Sequence, residues 1–246
     1  MKRCLVGSEM CIRDRVGCSV AYHLTKLGWT DVVLLERKQL TCGTTWHAAG
    51  LIAQLRATQN MTRLAKYSQE LYFSLEDETG VATGIKRNGS ITVALTDERL
   101  EELRRSAAMA RAFGVEIDEI STDEISRHYP GLNVEDAIGG VWLPKDGQAD
   151  PVNITQALAK GARMRGARII QGVKVTGILQ EGGKAVGVET EDGVIRSEFV
   201  VNCGGMWARD IGAMAGVSVP LHACEHFYIV TEGIDGLKSN LPVLRV

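Results

Sequence analysis

The chain has 246 residues, 45% of them hydrophobic and 24% charged, with a net charge of −2 at pH 7. That composition suits one or two globular domains with a real core and, in the absence of a basic block, argues against a nucleic-acid surface. No apolar run approaches the roughly 18–20 residues that cross a bilayer, Arg13, Asp14 and Arg15 interrupt the place of a signal-peptide core, and six cysteines without a C-x-x-C pair read as reduced thiols.

Residues 1–15 do not fit the pattern of the rest of the chain. From Gly17, apolar Val20, Ala21, Leu24 and Leu27 have helical spacing, Gly28 stops the helix, and residues 31–36 form a buried strand. Such a helix and parallel strand need an earlier strand and a G-x-G-x-x-G turn, over residues 5–17. Of the three glycines only Gly17 is in place; Ile12 and Asp14 stand where the others fall. Residues 1–15 therefore read as a foreign segment. Genomic or transcript sequence encoding them contiguously with Gly17 overturns that reading.

Residues 40–51, Leu-Thr-Cys-Gly-Thr-Thr-Trp-His-Ala-Ala-Gly-Leu, come after the strand. Small residues and hydroxyls dominate them, so the backbone can lie close to a large polyanionic ligand, and one imidazole, His47, sits in the middle. Residues 60–80 form an amphipathic helix with Leu64, Tyr67, Leu71 and Leu75 on one face, Asn60 as cap and Gly80 as stop. Residues 90–95 alternate as a strand. A solvent-facing helix at 97–114, a short strand at 115–120, a helix at 123–129 stopped by Pro130, and a strand at 139–144 come next. Residues 145–151 are a turn-rich link. Asp150 caps, and Pro151 opens, a helix that runs to Gly166. Strands are expected at 168–170, 173–180, 185–190 and 194–201, with Gly182-Gly183 and Asp192-Gly193 as hairpin turns. Val200 and Val201 run into Asn202-Cys203-Gly204-Gly205, a helix covers 206–216, and 222–231 alternates as a strand. The chain stops just after the apolar run 241–244, and reads as truncated there too.

The expected class is α/β. A doubly wound, Rossmann-like nucleotide-binding domain comprises residues 16–80 and 146–216, and a second, β-sheet-containing substrate domain takes 84–145 and 217–246. Glu36 lies 19 residues after Gly17, at a strand end where a carboxylate can accept hydrogen bonds from both ribose hydroxyls of an adenosine. His222, Cys224, Glu225 and His226 have the look of a metal cluster. On a strand, however, positions i and i+4 lie about 13 Å apart, too far to share an ion bound about 2.1 Å from each, so no metal is expected. Cys203 reads as a small apolar residue packed under the glycine turn.

At this point the string from Gly17 to Leu51, with Glu36-Arg37 and Thr44-Thr45-Trp46-His47-Ala48-Ala49-Gly50, resembles the sarcosine and dimethylglycine dehydrogenases of the D-amino-acid-oxidase-like flavoprotein family. The similarity extends to 146–151, 173–178 and 202–209, and so covers nearly everything from residue 16 onward. The Trp-His-Ala-Ala-Gly element is specific; the nucleotide-binding pattern around it is generic. The resemblance implies FAD as cofactor. Val16 and Gly17 then face its pyrophosphate, with Arg15 at a ligand-facing position, and Glu36 and Arg37 contact the adenosine. Gly43, Thr44, Thr45, Trp46, His47, Ala48, Ala49, Gly50 and Leu51 wrap the pyrophosphate, ribityl chain and ring. Val175 meets the adenine through its backbone, and Trp207 lies near the returning Gly-Gly turn. His47 matches the histidine that binds the flavin 8α-carbon covalently.

The implied reaction is oxidative N-demethylation of sarcosine or dimethylglycine by hydride transfer, in a dehydrogenase rather than an oxidase. The implied partners are a small methylated amino acid, an electron-transfer flavoprotein or oxygen as acceptor, and folate only through a C-terminal half that is not in this sequence. Neither nucleic acid nor membrane is an expected partner, and the expected location is a bacterial cytoplasm or a mitochondrial matrix. Arg56, Arg63 and Arg87 are candidates for a substrate carboxylate clamp. Two alternatives stay open: a catalytically silent regulatory subunit of the same fold, and an inactive fragment of the enzyme.

Overall fold

The structure, a computed structural model, describes residues 3–7 and 13–246, with side chains from Arg15 onward. Strand β1 (Arg3–Gly7) leads into helix α1 (Arg13–Lys26). Gly28, at φ 91°, ends α1 with its N–H on the Thr25 carbonyl at 3.0 Å, a conformation glycine adopts at little cost. Strand β2 (Val32–Glu36) is buried at every position, as a central parallel strand must be. After the loop come β3 (Leu51–Ile52) and α2 (Gln59–Thr79). Thr58 caps α2, its hydroxyl accepting from Met61 N at 3.3 Å. Asn60 cannot be the cap, because the helix already includes it.

The middle of the chain holds β4 (Ser90–Ala94), α3 (Asp97–Ala112), β5 (Asp118–Ile120), α4 (Thr122–His128), β6 (Gly139–Leu143) and β7 (Gly147–Gln148). Thr96 caps α3, and a Ser121–Glu124 capping box opens α4. Helix α5 (Pro151–Met164) is capped by Asp150, whose carboxylate accepts from Val152 N and Asn153 N at 2.8 and 3.1 Å. Next in the chain are strands β8 (Arg168–Gln171), β9 (Val175–Glu181), β10 (Lys184–Thr190), β11 (Gly193–Arg196) and β12 (Val200–Asn202). A 3-10 turn (Gly205–Trp207) leads to α6 (Ala208–Met214), and β13 (Val243–Arg245) comes last.

Several sequence expectations change. The strand expected at 222–231 is not formed; residues 217–233 have no regular structure. A strand needs a hydrogen-bonding neighbour, and no described strand offers one there. The single strand expected over 194–201 is two, β11 and β12, which join different sheets. Of the three positions of the expected glycine pattern, residue 12 lies outside the described residues, while 14 and 17 stand within α1.

The chain divides into two compact units: residues up to 49, 75–83 and 150–226, and residues 50–74, 84–149 and 227–246. In the first, β12-β1-β2-β8 form a sheet that is parallel throughout. Helices α1 and α5 pack on each other, α1 against β1 and β2 and α5 against β8. Side chains alternate across a strand, so Val33 and Leu35 face away from Leu34. They meet Val175, Val188 and Ile211 beneath the antiparallel meander β9-β10-β11. In the second unit the sheet order is β13-β4-β6-β5. Helix α3 sets Leu103, Ala107 and Ala110 against Ala94, Val141 and Leu143, while Ile125 of α4 joins Ile91, Val93 and Ile120. β3 and β7 pair as a short antiparallel ribbon.

Candidate functional site

In an open parallel sheet a ligand sits outside the carboxyl ends of the strands. Here those ends are Gly7, Glu36, Gln171 and Asn202. Helix α1 lies close against the sheet beside them because Gly17 has no side chain. A Cβ there would stand 3.3 Å from Leu34 Cδ1 and 3.6 Å from Cys203 Cβ. This is the close helix–strand approach that the last glycine of a dinucleotide fingerprint allows. Cys203 is itself buried beneath the turn after β12. Val16 is exposed and Arg15 half-buried at the start of α1.

Glu36 terminates β2 opposite Gly7 and is 6% exposed. Its carboxylate accepts from Lys38 N at 3.0 Å and its carbonyl from Val173 N at 3.0 Å. A buried carboxylate at this strand end suits a ribose that can donate two hydroxyls. The guanidinium of Arg37 lies 5.5 Å from the Trp207 ring, which ties the end of β2 to the turn after β12. Burial lowers the Arg37 pKa, with Cys42 opposing that effect. Val175 opens β9 with its side chain in the core cluster, so it has only backbone to offer a ligand. Glu36, Arg37, Gly17 and Trp207 are thus held around the end of one sheet, and their chemistry fits the adenosine half of a dinucleotide.

The loop after β2 is pinned at several points. Leu40 N donates to Gln171 Oε1 at 2.6 Å, Cys42 N to Gln39 O at 3.3 Å and Ala48 N to Thr45 O at 3.2 Å. Leu40, Gly43 and Thr45 are buried and Thr44 half-buried. Thr41 holds φ 72°, a left-handed conformation that costs a β-branched residue about 1–3 kcal/mol. Between these anchors Trp46 and His47 are exposed, and their ring centroids are 3.5 Å apart at an interplanar angle of 34°. Ala48 is half-buried and Ala49 exposed. Gly50, at φ 72°, and exposed Leu51 begin the second unit.

The second unit contains a polar cluster that the sequence does not reveal. Asp146, in the stretch read as a link, is buried, and its carboxylate accepts from Ser90 Oγ at 2.7 Å and Gln54 N at 2.9 Å. Gln54 Nε2 donates to Gln69 Oε1 at 2.5 Å, and Gln69 donates to the Lys145 carbonyl. Burial raises the Asp146 pKa, against the opposing effects of Ser90, Gln54, Arg245 and Arg56. A cavity of about 170 Å³ lies beside Asp146, lined also by Leu55, Leu103, Val141, Arg99 and Arg245. Of the three clamp candidates, Arg87 is stacked 3.8 Å from the Phe73 ring. Arg56 is turned back onto the Leu55 carbonyl at 2.9 Å, and Arg63 is exposed. Among the described residues, no three His, Cys, Asp or Glu side chains are gathered to hold a metal, and no helix is long and apolar enough to cross a membrane.

Residues 16–245 match the family model DAO, FAD dependent oxidoreductase. The chain is 43% identical over 236 residues to mitochondrial sarcosine dehydrogenase of Homo sapiens, covering 94% of this chain and 26% of that protein. It is 40% identical over 238 residues to the mitochondrial pyruvate dehydrogenase phosphatase regulatory subunit of Mus musculus, covering 96% and 27%. L-proline dehydrogenase from P. horikoshii superposes with a TM-score of 0.81 at 30% identity, over 88% of this chain and 56% of that one. The chain spans about a quarter of the length of these two curated relatives.

Proposed function

The chain belongs to the DAO family of FAD-dependent oxidoreductases, and from that premise we propose that the protein oxidatively N-demethylates sarcosine or dimethylglycine with FAD bound covalently through His47. The observation that carries this reading is the His47 loop. An exposed imidazole sits on a loop anchored by buried Leu40, Gly43 and Thr45, beyond the end of β2, in a chain 43% identical to a sarcosine dehydrogenase.

In this reading the first amides of α1 and their dipole attract the pyrophosphate, near Val16 and Gly17. Glu36 accepts from the ribose hydroxyls, Arg37 and the Val175 backbone border the adenine, and Trp207 backs Arg37. Residues 43–51 track the cofactor from pyrophosphate to ring. FAD, when bound, supplies the acceptor for the hydride that leaves the N-methyl carbon. Water then releases formaldehyde and the demethylated amine. The electrons pass on to an electron-transfer flavoprotein or to oxygen. A role for folate belongs to a C-terminal half outside this sequence, and the compartment is a bacterial cytoplasm or a mitochondrial matrix.

The test is acid precipitation of the protein after incubation with FAD and removal of unbound FAD by gel filtration. Flavin that stays in the washed pellet, and moves to the supernatant in His47→Ala, supports the covalent link. Flavin in the supernatant for both proteins removes it. Formaldehyde released from sarcosine against dimethylglycine then separates the substrates. A second reading, a catalytically silent regulatory subunit, draws on the 40% identity to the mouse phosphatase subunit across 96% of the chain. Absence of flavin from both pellet and supernatant favours it.

A further inference from the structure

We infer that Trp46 is the positioning residue for His47: its indole, stacked on the imidazole, sets the direction in which that ring meets the flavin. The inference rests on the covalent role proposed for His47. Trp46 is 57% exposed, on a loop pinned through Leu40, Cys42 and Ala48. It meets the imidazole at 3.5 Å between centroids with the ring planes tilted by 34°, a closer approach than the roughly 4.5–7 Å of an ordinary aromatic pair. The residues on either side of the two rings cannot do the same. Thr45 is buried beneath the loop, and Ala48, Ala49 and Gly50 carry nothing larger than a methyl group. One face of the imidazole is thereby covered by indole, and the stretch beyond it is left bare for a ligand.

Orientation matters because the step is a bond formation at one ring nitrogen. His47 loses its N–H proton and gains a bond to the 8α-methyl carbon. That carbon loses one proton, and the two electrons released reduce dioxygen, which with the two protons leaves as hydrogen peroxide. An imidazole free to rotate about its side-chain bonds presents that nitrogen correctly only part of the time. A stacked one is already aligned.

The experiment tracks acid-stable flavin with time after FAD is added to the 246-residue chain, for wild type, Trp46→Ala and Trp46→Phe, with the dissociation constant for FAD measured in parallel. The ring-proton chemical shifts of His47 are recorded before FAD is added. At FAD concentrations that saturate each variant, loss of the indole should slow incorporation about tenfold, and Trp46→Phe should restore most of the rate. In the FAD-free chain the His47 protons should lie upfield of their position in Trp46→Ala, because they sit over an indole ring. Equal incorporation rates in wild type and Trp46→Ala, or unchanged His47 shifts, overturn the inference and leave the role of His47 standing. A wild-type pellet with no flavin overturns the role of His47 itself, and the positioning role falls with it.

Discussion

Two residues show how a single position can be decided by what surrounds it. Asp146 has a carboxyl pKa raised by burial. Its unfolded form ionises at the ordinary value, so the protonated carboxyl favours folding at low pH. That contribution is lost as pH climbs from the ordinary carboxylate range, about 4, through the raised folded value. Asp146→Asn keeps an oxygen for Gln54 N and gives Ser90 a donor in place of an acceptor. Thermal melts at pH 4 and pH 7 should therefore differ less in the variant, and the variant should gain relative to wild type at pH 7. At Gly17, valine would place branched methyls against Leu34 and Cys203. The expected loss is about 1–3 kcal/mol, seen as a lower melting temperature; a melting temperature equal to wild type would show that α1 does not pack this closely on the sheet. The places of Gly17 in α1 and of Glu36 at the end of β2 were legible from the helical spacing and the apolar run around them. Asp146 was not, since its partner Gln54 lies 92 residues away and a Lys-Asp-Gly string reads locally as a turn.

At the scale of elements, α1 and α5 meet where Gly161 faces Tyr22. A Cβ on Gly161 would fall 2.8 Å from two atoms of the Tyr22 ring. Alanine is the better helix former by about 1 kcal/mol, but overpacking costs about 1–3 kcal/mol. Displacing the ring also disturbs its hydroxyl, which donates to Glu78 Oε2 at 2.6 Å, while Arg165 donates to Glu78 Oε1 at 2.6 Å. Gly161→Ala should therefore destabilise the protein in urea titrations despite its helix propensity. The Glu78 carboxyl feels burial, which raises its pKa, but Tyr22, Arg165 and Lys26 together hold it below its ordinary value. The stability it contributes is present above that ordinary value and is lost as pH falls through the lowered one. Helices and their stops were readable from spacing, caps and glycines. Strand membership was not: the run 194–201 carries no turn signal, yet its first half completes a meander and its second half joins the parallel sheet. Periodicity records which faces are apolar, and it carries no information on which neighbour supplies the hydrogen bonds.

For the whole molecule, the α/β class and the parallel sheet are readable from the order of periodic segments, whereas residues 222–231 show the limit of that reasoning. They alternate as a strand should, but Phe227, Ile229 and Val230 are each more than four-fifths exposed. An exposed apolar segment of high strand propensity and low charge is prone to pair with other chains. Val230→Lys should reduce self-association measured by sedimentation velocity; unchanged sedimentation would place any association elsewhere. The stretch leading into α1 makes a second test at this scale. Ile12→Gly combined with Asp14→Gly restores the glycine pattern, and titration should show FAD bound about tenfold more tightly. No gain in affinity would mean that the turn residues present already serve.

The order of strands in the parallel sheet also sets a timetable. Cys4 pairs with Val200 on one side and with Val33 on the other. A ribosome adding about 5–20 residues per second needs on the order of tens of seconds to travel from one partner to the other. During that interval β1 has its β2 neighbour but an open flank, while β4, β5 and β6 can already pair within the stretch between. Within this sheet β1 is enclosed after β2, which β8 has already closed, and a newly made chain halted short of Val200 would present that flank to chaperones.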